Sequence, residues 1–499
     1  MPGFLFDLYQ RTARATFVPA SLFMALCLAV FSTGGLPLAF RLTGLLLFVA
    51  LALVHPAGGL ACVILTAPLY LMPATVDIPT RTLLLPLHEV ALLITTAAVC
   101  WRWIGGHIRD RRMPDAGAAL QRVRAMSVSH APEALLALAG IIGVMLAVPE
   151  GRGAALREFR WLIVEPLLFY GLVRTIRMSR ETLIGALALS GAFVAVIGAF
   201  QFVGLDLTPL IGEKRAFSEN IIVVDGVRRV TSVYGHPNNL GLYLERVWPL
   251  AAAMAAWIWH ARRGDGAASA SPAVSERRST GAAFFFAACA LLSLTGVVVS
   301  FSRGAWLASV IAAVVLGAGW LLHRSQHRQA VRWSALAFIG ALIVGMTGLA
   351  LTLRGGPGGG SVDARLLLWR EALVYLRQNP LGLGIDQFYY YHNPAFGRSA
   401  IDPSLVGTSE EFAAHPHNLL LDAWVNVGPL GVLAFGLLLV RFYRNALIAV
   451  RKRREVVIAG ALAAMTAALF HGLVDRFYFV PDLAIAFWVL MTVGERSEN

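Results

Sequence analysis

Apolar residues fall in long unbroken blocks along this chain, near 17–31, 37–54, 58–74, 85–104, 131–149, 159–173, 182–203, 238–259, 282–300, 304–322, 332–353, 418–440, 456–474 and 480–494. Most approach the ~20 residues that a helix needs to cross a bilayer. The blocks are continuous and do not alternate, which argues against a transmembrane β-barrel. The pattern predicts an all-α, polytopic integral membrane protein with about 12–14 transmembrane helices. The run 17–31 follows Arg11 and Arg14 and has no small-residue cleavage site after it, so it reads as a first helix and not as a signal peptide.

Two longer polar stretches, 204–237 and 354–417, interrupt the blocks and divide the chain. Residues 1–130 form an N-terminal set of transmembrane helices and 131–353 a central membrane region containing the loop 204–237. Residues 354–417 form a large extracytoplasmic loop, and 418–499 a C-terminal set of helices. The large loop starts flexibly at Gly355-Gly356-Pro357-Gly358-Gly359-Gly360. From Val362 to Leu376 it predicts a short surface helix, with Leu366, Trp369, Leu373 and Leu376 at spacings of three and four as a face for the membrane surface.

Composition strengthens the membrane reading. The chain of 499 residues is 57% hydrophobic and 14% charged, far too apolar for a soluble protein of this length. Its four cysteines lie in apolar blocks without CxxC spacing, so neither a disulfide framework nor a zinc site is expected. A net charge of +13 would otherwise raise the question of nucleic acid. Here the basic residues concentrate in alternate loops, 105–130, 174–181, 260–281, 323–331 and 441–455, as the positive-inside rule requires of cytoplasmic loops. The charge is therefore topology and contact with anionic membrane lipids, not nucleic acid. Both termini fall inside and both long polar stretches outside. Gly264 to Ser279, rich in Gly, Ala and Ser, reads as a flexible cytoplasmic linker.

The outer side is poor in basic residues, so those it keeps are informative. Arg152, Arg157 and Arg160 lie at one outer helix end, Arg228 and Arg229 before another, Arg303 in the turn Ser302-Arg303-Gly304, and Arg365 and Arg370 in the large loop. Arginines at helix mouths suit an anionic partner, since a guanidinium can fork onto phosphate. Taken singly, each is also explained as a helix anchor or a solvated face.

His415-Pro416-His417-Asn418 closes the large loop and opens an apolar helix in which Asn418, Asp422 and Asn426 follow at spacing four, on one face. A histidine at this boundary can serve as a general base, and a polar stripe below it suggests a cavity. The plainer alternative is a polar helix start with Asn418 as its cap. No third ligand stands at a diagnostic spacing, so no metal is expected. Glu165, Glu245 and Arg246 lie inside apolar blocks, where they either pair between helices or line a polar path. Walker, Rossmann, GxSxG and HExxH signatures are absent, so a substrate would arrive already activated.

Four segments then resemble, in order, the O-antigen ligase and O-antigen polymerase superfamily of bacterial membrane glycosyltransferases. They are Thr231-Ser232-Val233-Tyr234-Gly235-His236-Pro237-Asn238-Asn239-Leu240, Ser302-Arg303-Gly304, Arg365…Trp369 with Asn379-Pro380-Leu381-Gly382-Leu383-Gly384, and His415-Pro416-His417-Asn418…Gly428-Pro429-Leu430-Gly431. The resemblance spans about 160–440. It implies a multi-pass enzyme of the bacterial cytoplasmic membrane with its active site facing the periplasm or outside. The implied donor is an undecaprenyl-pyrophosphate-linked glycan. The implied acceptor is a hydroxyl on a glycan, a lipid A core or a protein. No cofactor and no metal are implied. Carried over, the base falls on His417, with His415 competing for the role. The pyrophosphate-binding arginines fall on Arg303 and Arg365, with Arg160 as a further candidate, and Asp422 and Asn418 are candidates to orient these groups or face the acceptor. Ligase and polymerase are not distinguished. The competing class is a transporter or flippase for an anionic lipid or solute, which would require charge through the membrane depth and related halves.

Overall fold

In the computed structural model, residues 19–78, 81–110, 130–208, 221–224, 227–263, 280–324, 340, 360–408, 410–453 and 455–495 are described. The expected span 332–353 and linker 264–279 lie outside these residues, as do Gly355 to Gly359 of the glycine run. The remaining apolar blocks become helices: α1 Pro19–Ser32, α2 Leu38–Val54, α3 Pro56–Thr66, α4 Leu87–Asp110, α5 Ala131–Met145, α6 Arg152–Phe159, α7 Glu165–Ile176, α8 Arg180–Phe202, α9 Pro237–Arg263, α10 Thr280–Val299 and α11 Arg303–Arg324. After them come α12 Gly360–Gln378 and α13 Phe388–His392 in the large loop, then α14 Leu419–Ile448, α15 Val456–Gly472 and α16 Pro481–Glu495. Five helices among the described residues are long and apolar enough to cross a membrane. The protein is all-α and polytopic. Large apolar side chains such as Phe23, Phe40, Leu46 and Leu291 remain exposed, as lipid-facing positions require.

Two short antiparallel hairpins were not anticipated. They pair Ala74–Ile78 with Arg81–Leu85, and Ile221–Val224 with Val227–Val230. Both lie where the apolar pattern predicted only loop or helix end. Block 58–74 accordingly stops being α-helical at Thr66 and finishes in a short 3-10 turn before the first hairpin.

Helix α9 packs on α8, α10 and α15, and α11 on α15, so the C-terminal helices sit inside the bundle. Nearly every residue of α16 is buried, which explains its all-round apolar composition. At one end of the bundle Arg441 pairs with Glu133 at 2.6 Å and with Glu495 at 2.6 Å, Arg174 with Glu495 at 3.2 Å, and Arg180 with Glu455 at 2.6 Å. The arginines are ones that the charge pattern groups on a single side.

Helix α14 is kinked, and the kink anchors the large loop. Gly428 takes φ 65° and ψ −173°, and Pro429 follows it. Proline has no N–H for the carbonyl four residues earlier, which leaves that of Val425 free. It accepts instead from Leu383 N–H at 2.9 Å and Gly384 N–H at 3.1 Å. Trp424 Nε1 donates to the Pro380 carbonyl at 2.8 Å, and Asp386 N–H to Asn426 Oδ1 at 2.8 Å. A Cβ on Gly428 would stand 2.2 Å from the Leu381 carbonyl oxygen, so only glycine permits this approach. The segment 380–386 is thereby stitched into the helix backbone.

Helix α12 forms as expected and packs by one face on the loop and on α14. Ala364, Leu368, Ala372, Tyr375 and Leu376 pack on Leu383, Phe388, Leu405, Ala413 and Val425, whereas Leu366 and Leu373 are exposed. Of the stripe expected to face the membrane, Leu366 and Leu373 point outward, Trp369 is half-buried and Leu376 joins the packed face.

Candidate active site

Asn418 is the N-cap of α14. Its Oδ1 accepts the N–H groups of Leu420 and Leu421 at 3.0 and 3.2 Å, while its Nδ2 donates to the Leu473 carbonyl at 3.0 Å. The cap fixes the end of the loop just where His417 sits, in the left-handed region at φ 50°. Trp369 of α12 donates to the His417 carbonyl at 3.2 Å. The conformation of His417 is thus held from two elements.

Asp475, in the turn between α15 and α16, is the centre of the cluster. It is buried, and its two oxygens face different groups. Oδ1 lies 3.3 Å from His417 Nδ1 and 3.8 Å from His415 Nε2, and accepts the Arg476 N–H at 2.8 Å. Oδ2 accepts from Asn238 at 2.9 Å and from Arg365 at 3.5 Å. Burial would raise this carboxyl, but the nearby His415, the hydrogen bond with His417 and the Arg365 charge hold it well below the usual carboxylate range.

The two imidazoles, 4.0 Å apart between centroids, differ in environment. His415 Nδ1 accepts from the Arg476 guanidinium at 2.7 Å, so its lone pair is occupied. Burial, then the Arg476 and His417 charges, push its pKa well below the usual value. His417 stands between two carboxylates, with Glu410 Oε2 at 3.4 Å from Nε2. Burial would lower it, but Asp475 and Glu410 outweigh burial and hold it up at about 8. Glu410 is set in place by its own backbone, whose carbonyl meets His392 Nε2 at 2.8 Å, while Glu371 holds His392 Nδ1 at 2.9 Å.

Around Asp475 Oδ2 the outer arginines gather. Arg229 donates to Asn238 Oδ1 at 3.0 Å. Burial, then the charges of Arg303 and Arg365, lower the Arg229 guanidinium, which records how close the three cations stand. Arg303 opens α11 behind Ser302, whose Oγ accepts the Ala305 N–H at 3.4 Å. It is exposed and makes no hydrogen bond or ion pair among the described residues. A cation at a helix N-terminus opposes the helix dipole, and the arrangement is favourable once an anion sits there.

Of the residues expected from sequence, His415, His417 and Arg365 come together on Asp475, and Arg303 is linked to them only through its charge effect on Arg229. Arg160 does not join them: it pairs with Glu89 at 3.0 Å and Glu165 at 3.4 Å. Asp422 bonds neither histidine; its Oδ1 accepts from Asn426 at 3.0 Å, one turn along the expected stripe. Glu245 and Arg246 bind between elements. Glu245 meets His471 Nδ1 at 2.7 Å, and Arg246 donates to the Phe477 carbonyl at 2.8 Å. Sequence reasoning passed over Asp475, Glu410, Asn238 and His471. The adjacent Asp475 and Arg476, in a short turn between apolar blocks, were the visible signal for the first.

His415, His417 and Asp475 offer ligand atoms within 4.8 Å of one another, supplying the third donor that sequence spacing did not show. Two cations oppose a metal there: Arg476 occupies His415 Nδ1 and Arg365 leans on Asp475. The donor set suits proton handling better than cation binding. Beside it, His415, Arg476 and Asp422 line a polar cavity of about 250 Å³ that reaches Asp386 and Arg157.

No curated protein matches the chain. The family model described as O-antigen ligase (Wzy_C) matches residues 288–436. That stretch contains Arg303, Arg365, both histidines of the site and the kinked helix start. Such a domain carries a ligase- or polymerase-like glycosyl-transfer role in polysaccharide synthesis, here in a multi-pass membrane protein. Over residues 288–436, about a third of its length, the chain is similar to the O-antigen ligase family.

Proposed function

We propose that this protein transfers a glycan from a polyprenyl pyrophosphate, undecaprenyl pyrophosphate in bacteria, to an acceptor hydroxyl on the outer face of the cytoplasmic membrane, without metal. The observation that carries this reading is the placement of His417, bonded on one nitrogen to Asp475, whose other oxygen accepts from Arg365 and from Asn238, the partner of Arg229. Asp475 holds the Nδ1–H tautomer, leaving Nε2 as the basic nitrogen. In the reaction Nε2 takes the acceptor proton. The acceptor oxygen bonds to the anomeric carbon, and the carbon–oxygen bond to pyrophosphate breaks with its electron pair going to the phosphate. Attack opposite the leaving group inverts the anomeric centre. The three arginines and the start of α11 stabilise the charge that grows on the pyrophosphate. His415, its lone pair taken by Arg476, supports Asp475 and is not the base.

The test is surface-glycan profiling of a deletion strain complemented with wild type, His417→Ala or Arg303→Ala, with membrane expression measured for each. Expressed variants that accumulate long lipid-linked chains indicate a ligase; accumulation of single repeat units indicates a polymerase. Full restoration by both variants overturns the assignment and leaves transport of an anionic lipid or solute as the reading to pursue.

A further inference from the structure

The cavity beside His415 has chemistry that the transfer step as described does not use. The two oxygens of Asp475 divide the site: Oδ2 faces Asn238 and the arginine cluster, whereas Oδ1 faces the histidines and Arg476. Arg476 and His415 line the cavity, and none of Arg229, Arg303 and Arg365 does. The cavity therefore opens on the histidine side, away from the cations assigned to pyrophosphate.

Its walls carry Arg157, Trp161, Asp386, Asp422, Asn426 and Arg476. Asp422 is only 1% exposed, and its Oδ2 has no hydrogen-bond partner. Arg476 Nε is likewise buried without one. A buried unpaired carboxylate oxygen is costly unless a ligand supplies the donor. Asp386 is held at φ 58°, a conformation that L residues other than Asn and Asp rarely adopt. Its N–H is fixed by Asn426, and its carboxylate lies 3.7 Å from Arg157. Arg157 in turn stacks 5.7 Å over the Trp161 ring. Acids and guanidinium groups alternate around the space, so it lacks the single-sign field that would draw a pyrophosphate. Fixed donors and acceptors of both kinds beside an aromatic side chain fit the hydroxyls and apolar face of a pyranose.

The geometry points to this cavity as the acceptor-sugar subsite: an uncharged hexopyranose of the acceptor donates hydroxyls to Asp422 and Asp386 and accepts from Arg476, which brings a neighbouring hydroxyl toward His417. This inference rests on the proposed glycosyl transfer and adds the class of group that the acceptor side recognises.

The test uses the purified full-length protein in detergent. Saturation-transfer NMR would be recorded with methyl glucoside, methyl galactoside and methyl N-acetylglucosaminide, and inorganic pyrophosphate binding measured alongside. Wild type is expected to bind at least one glycoside. Asp422→Asn and Asp386→Asn should lose that signal while pyrophosphate binding is kept, and Asn at 386 tolerates the left-handed backbone. In the transfer assay Asp422→Asn should raise the acceptor KM by roughly ten- to a hundredfold with the donor KM unchanged. No glycoside binding by wild type, glycoside binding unaffected by both substitutions, or a rise in donor KM alone overturns the subsite. Absence of pyrophosphate binding, or binding that is indifferent to Arg303→Ala and Arg365→Ala, strikes instead at the transfer reading, so the two failures are distinguishable.

Discussion

Glu410 controls the protonation of the proposed base, and its removal makes a measurable difference. His417 is held from an ordinary value of 6.5 up to about 8 by two carboxylates working against burial. The interval corresponds to roughly 2 kcal/mol in favour of the imidazolium. At pH 7 about a tenth of the enzyme then carries the neutral base. Glu410→Gln removes the carboxylate facing Nε2 and leaves Asp475 on Nδ1. An opposite charge at this separation is worth at least about one pH unit. The acid limb should therefore move from near 8 to near 7, and the neutral fraction at pH 7 should rise about fivefold. The assay is kcat/KM for transfer from purified lipid-linked glycan between pH 5.5 and 9.5, for wild type and variant. The two should converge above pH 9, where both bases are neutral, and differ most near pH 7. An acid limb that stays in place, or a variant inactive at every pH, would refute the reasoning; the second result would make Glu410 a participant in the step itself.

Further expectations concern single residues. Asp475→Asn should lower kcat by roughly 10³–10⁴-fold with little change in folding, since the imidazole loses its orienting carboxylate. His471→Ala strands Glu245 in the core and should cost about 3–5 kcal/mol in thermal unfolding, with His471→Ala/Glu245→Gln recovering part of it. Gly428→Ala forces a Cβ against the Leu381 carbonyl and should lower stability by about 2–3 kcal/mol, with earlier proteolysis of the large loop. Transfer should survive EDTA; loss that a divalent cation restores would reassign the His415, His417 and Asp475 group to a metal.

The helical, membrane-embedded character was legible because it rests on the length and continuity of apolar blocks, which no tertiary contact needs to supply. The histidines and Arg303 stand out in sequence as candidates because a polar or basic residue at a helix mouth is locally conspicuous. Asp475 was not, since it meets His417 across 58 residues and belongs to no spacing motif. His471 was hidden inside an apolar block, where only its pairing with Glu245, 226 residues away, gives it meaning. On α12, Leu366 and Leu373 are exposed while Leu376 packs on the loop, because spacings of three and four describe a helix but do not say which side meets protein. Asn418 shows the reverse case, where the local reading as a helix cap agrees with its hydrogen bonds.

The break in α14 also bears on how the enzyme meets membranes of different thickness. From Leu419 to Lys452 the helix runs 34 residues, about 51 Å of rise against a hydrocarbon core of about 30 Å. The portion from Gly428 to Lys452 alone reaches about 37 Å, enough to cross with some tilt. The stretch before Gly428 is surplus to spanning, and it is tied to 380–386. If a thicker or thinner bilayer changes the tilt of the portion below the break, the portion above it is held by its bonds to 380–386. The imidazole, its loop and the cavity wall stay in register with one another while the lipid varies, so the rate should depend weakly on acyl-chain length.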